Sequence, residues 1–555
     1  FNFFTDGRTL QLTMESHLVK KVGTNYGPPG KNNLVFFIDD FNLPEVDIYD
    51  TQSSIALMRQ VIEYHRWYDR VKLGPKHILD CQYIAAMNHT AGSFFINPRL
   101  QRHFVTFAVG MPNQASLQTI FGTFLDGHLK DFDQGIRDMS KMVVGAVLAM
   151  DTAMTKGFKK TAKNFYYEFN MRHISGVIGG MMMSLPSVFD GQNAKFASLF
   201  LHESERVYGD RLVSLKDVAA YQKVAGGIAR SKFGPYNAEI AKYFNEADPV
   251  PLVFCHFAES TDKIEYDQSA SMKSLGTILK GTLARYNDEN AAMDLVLFED
   301  AQRHICRIAR IVKQPGGHAL LVGVGGMGKR SLARLAAYIC GFSLEIITIT
   351  QTYGITDLKE DLQKYYWKAG VKGQGVLFLF TDSQITKERF LVYINDLLAS
   401  GRIPDLYETD QRDEVINALT KTAKADGISP EPEAVWEYFF TRVRKHLHMA
   451  LAFSPVGDDF RLRSMKFPAI INSTVIDYFQ PWPEDALLGV ATQFLAEEEL
   501  GDKRIHKGIA AFMPFAFKNV NAMAEHFLDK EKRYVYTTPK SFLECVSLYI
   551  SLLTR

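Results

Sequence analysis

Disulfides and cysteine-bound zinc are the first things this sequence does without. Its five cysteines, Cys81, Cys255, Cys306, Cys340 and Cys545, are odd in number, scattered and free of any C-x-x-C pair. They predict reduced thiols in an intracellular setting. Net charge is also nearly absent: 63 basic against 62 acidic residues leave +1, which gives no global pull toward nucleic acid or an anionic membrane. No uninterrupted apolar run is long enough for a membrane span, no signal peptide is visible, and no heptad run supports a coiled coil. The first residue is Phe1, not Met, and strong elements begin almost at once, so a piece of a longer protein is expected. What is present is a 46% hydrophobic chain of 555 residues, enough for about two to four domains with sizeable cores.

The chain is organised around residues 319–331. An apolar lead-in is followed by Gly323, Gly325, Gly326 and Gly328, then by Lys329 and a helical pattern in which Leu332, Leu335, Ala336 and Ile339 share a face. Strand, glycine turn and helix start, in that order, suit a nucleotide's phosphates. Glycines let backbone N–H groups turn inward, the helix end adds positive potential, and the lysine supplies a point charge. ATP or ADP is the expected ligand. One position departs from the pattern, because the hydroxyl that ligates Mg²⁺ should directly follow the lysine. Arg330 stands there, and Ser331 lies about 100° further round the helix. Binding is therefore expected without efficient hydrolysis.

Residues 1–114 read as an α/β block. The apolar strand 33–38, expected to be buried on both faces in a parallel sheet, ends in Asp39 and Asp40. In a nucleotide-site reading, Asp39 holds Mg²⁺ and Asp40 orients or activates the attacking water. The plainer alternative is a turn capped by two aspartates. A second buried strand, 81–87, leads to Asn88, which could hydrogen-bond that water and a γ-phosphate. Residues 97–104 predict a short helix feeding a further strand. Arg102 on it would face a neighbouring subunit's nucleotide, with Arg99 as rival and a solvated arginine as the alternative. Residues 115–250 read as helical, with a surface link over 232–250, and Arg172 is a candidate γ-phosphate contact. His202 and Glu203 open like a zinc-protease helix, but Arg206 takes the second histidine's place, so a salt-bridged helix is expected.

Residues 251–485 read as a second α/β block, with helices at 283–287 and 293–309 before the glycine loop and a strand at 344–350 after it. The strand 375–381 aligns with 33–39: Thr381 falls at Asp39 and Asp382 at Asp40. The metal carboxylate is missing, as the metal hydroxyl was, and Asp382 is a methylene shorter than the usual Glu. A strand from 446 puts Ser454 in the slot of Asn88, while Ser473 stands where Arg102 would repeat. His446 and His448 lack a third ligand and read as packing or surface residues. Residues 486–555 read as helical, with runs at 505–527 and from Pro539. An internal repeat at fold level emerges, implying tandem ATPase modules.

These strings together resemble the dynein heavy-chain motor, in its third and fourth AAA+ modules. The resemblance is carried by residues 35–44, 86–88, 97–104, 169–172, 202–212, 323–329, 378–384 and 481–487, and it spans essentially the whole chain. Thr381-Asp382 and residues 65–69 look like axonemal dyneins, with the outer-arm beta-type heavy chain as the preferred subclass. The resemblance implies an α/β fold of tandem AAA+ P-loop NTPase modules, each a parallel-sheet large subdomain with a helical small subdomain. The divisions would be 1–114, 115–250, 251–485 and 486–555, the last leading toward a stalk. It further implies an ATP-driven, minus-end-directed microtubule motor of the ciliary or flagellar axoneme. Microtubules would bind through a stalk outside this stretch. Other dynein heavy, intermediate and light chains and neighbouring AAA modules would be partners, with no nucleic acid or membrane. By position, Asp39, Asp40, Asn88 and Arg172 would serve the third site, whose phosphate loop would precede residue 1. Gly323, Gly325, Gly326, Gly328, Lys329, Asp382 and Ser454 would serve the fourth, and Arg102 would face the second module's nucleotide. Two other readings stay open: a tandem remodelling ATPase, which would need two intact phosphate loops, and an ATP-binding scaffold that never hydrolyses.

Overall fold

The computed structural model describes all residues except 89–95, 163, 245–249, 262–264, 294, 497–502, 534, 536 and 554–555. Asn245 in the expected surface link and Tyr534 before the last helix lie outside the described residues. The chain divides into two compact units.

The first unit comprises Phe1–Met111, Thr386–Asp396 and Arg461–Ala469. Its centre is a parallel pair of strands, Leu34–Ile38 and Cys81–Ala85, with Leu34 opposite Cys81 and Ile38 opposite Ala85. The helices Gly7–Glu15 and Ser53–Tyr64 supply Leu10, Met14, Met58 and Val61 to a core that also buries Trp67 completely. The expected two-sided burial of the first strand is not met. Val35 is 48% and Phe37 66% exposed, because only the face carrying the even-numbered residues packs on that core. The strand expected after Arg102 is not formed either. Val105, Phe107 and Val109 alternate as a strand would, yet they are exposed and no described strand borders them. Without a neighbour to take its N–H and C=O groups, an alternating segment gains nothing from strand geometry.

The second unit comprises Pro112–Ile385, Leu397–Phe460 and Ile470–Arg555. It opens with the helices Gln114–His128, Ser140–Gly157, Met171–Met181, Asn193–Ser204 and Leu215–Lys232. A five-stranded parallel sheet follows, in spatial order Ser343–Glu345, Val376–Thr381, Leu447–Phe453, Ala319–Val322 and Val475–Tyr478. Its three inner strands are buried along their whole length, as an apolar run covered by helices on both faces should be. The order places the glycine-loop strand between the strands ending in Phe453 and Tyr478. All the carboxyl ends therefore point to one rim, where ligands bind in open α/β sheets.

Three boundaries differ from the sequence reading. The strand expected over 344–350 stops at Glu345, where its pairing with residues 376–378 ends. The helix expected from 293 begins at Glu299, with Phe298 extended; Glu299 and Asp300 in the first turn complement the helix dipole. His446 closes the helix Pro432–His446 and does not open a strand. His448 is a satisfied core residue, its two ring nitrogens 2.8 Å from the Gly317 carbonyl and 3.2 Å from that of Lys445. Among the described residues no helix is long and apolar enough to cross a membrane, and no cluster of three metal-ligating side chains occurs.

Candidate nucleotide site

The strand Ala319–Val322 ends in a turn that only glycine fits comfortably. Gly326 and Gly328 take φ of +83° and +82°, left-handed values that L side chains rarely adopt, and Gly328 caps the helix Lys329–Cys340. Gly326 is doubly required: a Cβ there would lie 2.4 Å from Cβ of Lys540, on the helix Pro539–Leu553. Of the residues expected to form a phosphate cradle, Gly325, Gly326, Gly328, Lys329, Arg330 and Ser331 line one cavity of about 620 Å³, and Gly323 does not.

The lining of that cavity is mixed, with an apolar cluster and several charged or polar side chains. Leu295, Val296, Phe298, Trp482, Val490 and Phe494 are its apolar lining, with the Phe298 and Trp482 rings edge to face at 5.3 Å. Its polar lining comprises the loop with Lys329 and Arg330, then Asp382, Ser454 and Lys540, together with Asp300, Arg303, His304 and Arg307. A planar apolar group joined to a polyanion is a ligand class that such a mixed lining suits. Lys329 bends back so that its amine donates to the carbonyls of Gly323 and Val324. Burial lowers its pKa from 10.5 to about 8, with Asp382 opposing that shift and Arg330 adding to it.

The metal corner is built differently from a magnesium site. Nη2 of Arg330 lies 3.2 Å from both Oγ1 of Thr381 and Oγ of Ser383, at and just past the end of the strand Val376–Thr381. A guanidinium therefore reaches the place where a cation's ligands would converge, and neither Arg330 nor Thr381 offers a carboxylate. A nucleotide fits these residues, but Mg²⁺ held between them does not. Asp382 spans the two strand ends, with Oδ2 accepting from the Ser454 N–H at 3.1 Å and Oδ1 from the Ser383 N–H at 2.8 Å. It sits beside the cavity as an acceptor already engaged on both oxygens.

In the first unit, Asp39, Asp40 and Asn88 come together at the ends of the paired strands. Asp39 is exposed, its Oδ1 accepting from the Asp40 N–H at 3.0 Å, and Asp40 has a positive φ of 50°. Asn42 donates from Nδ2 to the Asn88 carbonyl at 3.1 Å, tying the two turns to each other. Arg102 follows the short helix Pro98–Gln101, is 59% exposed and pairs with Glu63 at 2.8 Å. Arg172 is exposed near the start of the helix Met171–Met181, which belongs to the second unit.

Several cavity residues were not singled out from the sequence. Lys540 and Phe298 lack a local motif, and Trp482 lies in the string 481–487 without a role assigned to it. His304 is another; its ring stacks on Phe479 at 3.8 Å and 2°, and its Nδ1 lies 2.7 Å from Oδ2 of the buried Asp477. Burial alone would raise the Asp477 pKa, but His304 and Arg307 outweigh it and hold the carboxyl below its ordinary value. Arg307 bridges onward, Nη1 to Asp477 and Nη2 to Asp210, each at 2.9 Å. Helix amphipathicity could have marked His304 as inward-facing, though not as cavity-lining.

Comparison with known proteins gives three family matches. Residues 293–552 match the P-loop containing dynein motor region D4, residues 1–112 a P-loop containing dynein motor region, and residues 143–242 an AAA+ lid domain. The chain is 52% identical over 554 residues to the dynein alpha chain of the flagellar outer arm of Chlamydomonas reinhardtii. It is 46% identical over 556 residues to the ciliary dynein beta chain of Tripneustes gratilla, and 45% identical over 559 to human dynein axonemal heavy chain 17. Each alignment covers 100% of this chain, which spans 12% of the length of each of these relatives. Similarity to an alpha chain is at least as strong as to the beta chains.

Proposed function

The chain belongs to the AAA+ motor region of the dynein heavy chains, and from that we propose that it forms the third and fourth modules of a ring. The fourth would bind ATP or ADP with little or no hydrolysis. Its fold of tandem AAA+ P-loop NTPase modules carries the architecture. The divisions at 1–114, 115–250, 251–485 and 486–555 are part of this reading. The observation that carries the regulatory role is Arg330, whose guanidinium reaches Thr381 and Ser383 where a metal would be gripped. A nucleotide held without a well-placed cation is a ligand more than a substrate, because the metal neutralises charge developing on the transferred phosphoryl group.

On this reading Lys329 and the loop amides hold the phosphates, and Ser454 and Asp382 border them. Lys540 brings a second cation from the last helix. Nucleotide occupancy would thus set how that helix, which leads toward the stalk, lies against the loop. Asp39, Asp40, Asn88 and Arg172 would serve the third site, Asp39 toward Mg²⁺, and Arg102 the second module's nucleotide. The whole protein would be an ATP-driven, minus-end-directed microtubule motor of the ciliary or flagellar axoneme, working with other dynein chains and with microtubules through a stalk outside this stretch. The alpha and beta subclasses of outer-arm chain are both compatible with the identities, so the beta-type assignment is kept only as one of two. Arg330 equally favours a scaffold that never hydrolyses. The deciding experiment measures bound nucleotide and turnover on the same sample. Stoichiometric nucleotide with negligible turnover, insensitive to Mg²⁺, is expected; rapid Mg²⁺-dependent turnover abolished by Lys329→Ala would overturn the proposal.

A further inference from the structure

One face of the helix Glu299–Lys313 brings Asp300, Arg303, His304 and Arg307 to the nucleotide cavity, at the i, i+3, i+4 and i+7 positions that share a side. The cations suit phosphates, and His304 suits something else. We propose that His304 reads the nucleoside part of the ligand, its Nε2 accepting a hydrogen bond from an N–H or O–H that the base or the sugar supplies.

The ring is held in place by the protein itself. It lies flat on Phe479, at 3.8 Å and 2°. Phe479 in turn abuts the start of the glycine loop, where a Cβ on Gly323 would fall 2.8 Å from its Cβ. Nδ1 of His304 lies 2.7 Å from Oδ2 of Asp477, which is 1% exposed and whose Oδ1 accepts from Nη1 of Arg307 at 2.9 Å. Burial alone would raise the Asp477 pKa, but His304 and Arg307 outweigh burial and keep the carboxyl ionised. A carboxylate only accepts, so the proton in that bond belongs to Nδ1. In the neutral ring Nε2 is then an acceptor.

Nε2 is also the atom left open. His304 is only 7% exposed, yet Nε2 has no hydrogen-bond partner among the described residues and is not sealed. An acceptor fixed in a binding cavity repels phosphate oxygens and favours a donor. On a nucleoside diphosphate the donors are the exocyclic amine of the base and the ribose hydroxyls, which are the same chemistry to an imidazole nitrogen. A 6-oxo purine, or a sugar lacking the hydroxyl concerned, would leave Nε2 facing another acceptor or no partner at all. A site built around a hydrogen bond rejects such analogues.

The proposal rests on the nucleotide reading, and its test is calorimetric titration of the 555-residue chain with ADP, inosine diphosphate, 2′-deoxy-ADP and 3′-deoxy-ADP. At least one analogue should bind about tenfold or more weakly than ADP: the inosine nucleotide if the base amine is the donor, a deoxy nucleotide if a hydroxyl is. His304→Asn keeps an N–H for Asp477 and deletes Nε2, so it should bring that ratio to within about twofold of one. His304→Gln, whose Oε1 can take the place of Nε2, should restore a preference for ADP. A purely structural role would lower affinity for all four ligands alike and leave the ratios unmoved. Equal affinities in the unsubstituted chain, tighter binding of the inosine nucleotide, or a ratio that survives His304→Asn overturns the proposal while the nucleotide reading stands. Failure of ADP to bind the unsubstituted chain removes both.

Discussion

Lys329 makes nucleotide affinity depend on pH in a way that can be worked out in advance. Burial holds its amine at a pKa of about 8 in the empty site, where its acceptors are the neutral carbonyls of Gly323 and Val324. A phosphate favours the charged form, so binding should restore the pKa toward the ordinary lysine value of about 10.4. Between those values binding takes up a proton, and affinity falls about tenfold per pH unit. At pH 9 the empty site is only about one-tenth protonated, a loss of roughly 1.4 kcal/mol relative to pH 7; near pH 10 the loss is about a hundredfold. The phosphate's own second ionisation, near pH 6, lies below this window. The sign for folding is opposite. A lysine whose folded-state pKa is depressed penalises the empty fold below about pH 8, and the penalty disappears as pH rises through the unfolded value. Fluorescent ADP titrations from pH 7 to 10 would measure the first effect. Lys329→Arg, always charged, should flatten the profile, and Asp382→Asn should move the break to lower pH by removing the charge that opposes the shift. A profile for the unsubstituted chain that is flat to pH 10, or that Lys329→Arg reproduces, would refute the reasoning.

Other expectations follow from the same geometry. Arg330→Thr with Thr381→Asp should convert a Mg²⁺-indifferent nucleotide affinity into one strengthened at least about tenfold by the metal; an unchanged ratio of affinities with and without Mg²⁺ would show that the metal corner is not the limitation. Gly326→Ala should cost about 1–2 kcal/mol in backbone strain and push Lys540 off the loop, weakening ADP more than tenfold in the same titration. Glu203→Gln should destabilise the second unit by about 3–5 kcal/mol in urea unfolding, because it strips the buried Arg310 of its countercharge. Glu203→Leu with Arg310→Met should cost less than either single change.

The glycine loop was legible because its requirements are local. Positive φ, a helix start and a lysine lie within a few residues, and the structure closes them into one cradle. The same holds for Asp382 and Ser454, each at the end of a run too apolar to be anything but an inner strand. The first unit was read less well for a physical reason. Residues 33–38 have the composition of a doubly covered strand, and composition records the environment a strand is suited to, not whether a neighbour is there. Here Val35 and Phe37 stand exposed, and the alternating 105–111 is not paired with any described strand. Lys540 was invisible because its partner is more than two hundred residues away, at Gly326. A single lysine near a helix start carries no local sign of the loop it meets.

Residues 202–210 show how a correct local reading can miss the consequence. The sequence predicts a salt-bridged helix, and salt bridges are there, but they are inside. Glu203 is fully buried, held by Arg310 and by the Tyr266 hydroxyl at 2.5 Å. Gly180 on a neighbouring helix leaves the room, since a Cβ there would overlap the Glu203 carboxylate. Three residues on, Arg206 pairs with Asp210 at 2.7 Å within a stretch wound as a π-helix, and Asp210 meets Arg307, which reaches Asp477 and through it His304. An exposed ion pair stabilises little and would leave this segment free to drift. A desolvated chain of them tolerates only arrangements in which every member keeps its partner, because each uncompensated charge costs several kcal/mol. Its last member, His304, stacks on Phe479 in the wall of the nucleotide cavity. A displacement at that wall must therefore either leave His304 in place or be answered along the chain as far as the helix that carries Glu203. Through these buried pairs the segment 202–212 is tied to the sheet strand that carries Asp477 and to the helix that carries His304 and Arg307, which no surface salt bridge would do as firmly.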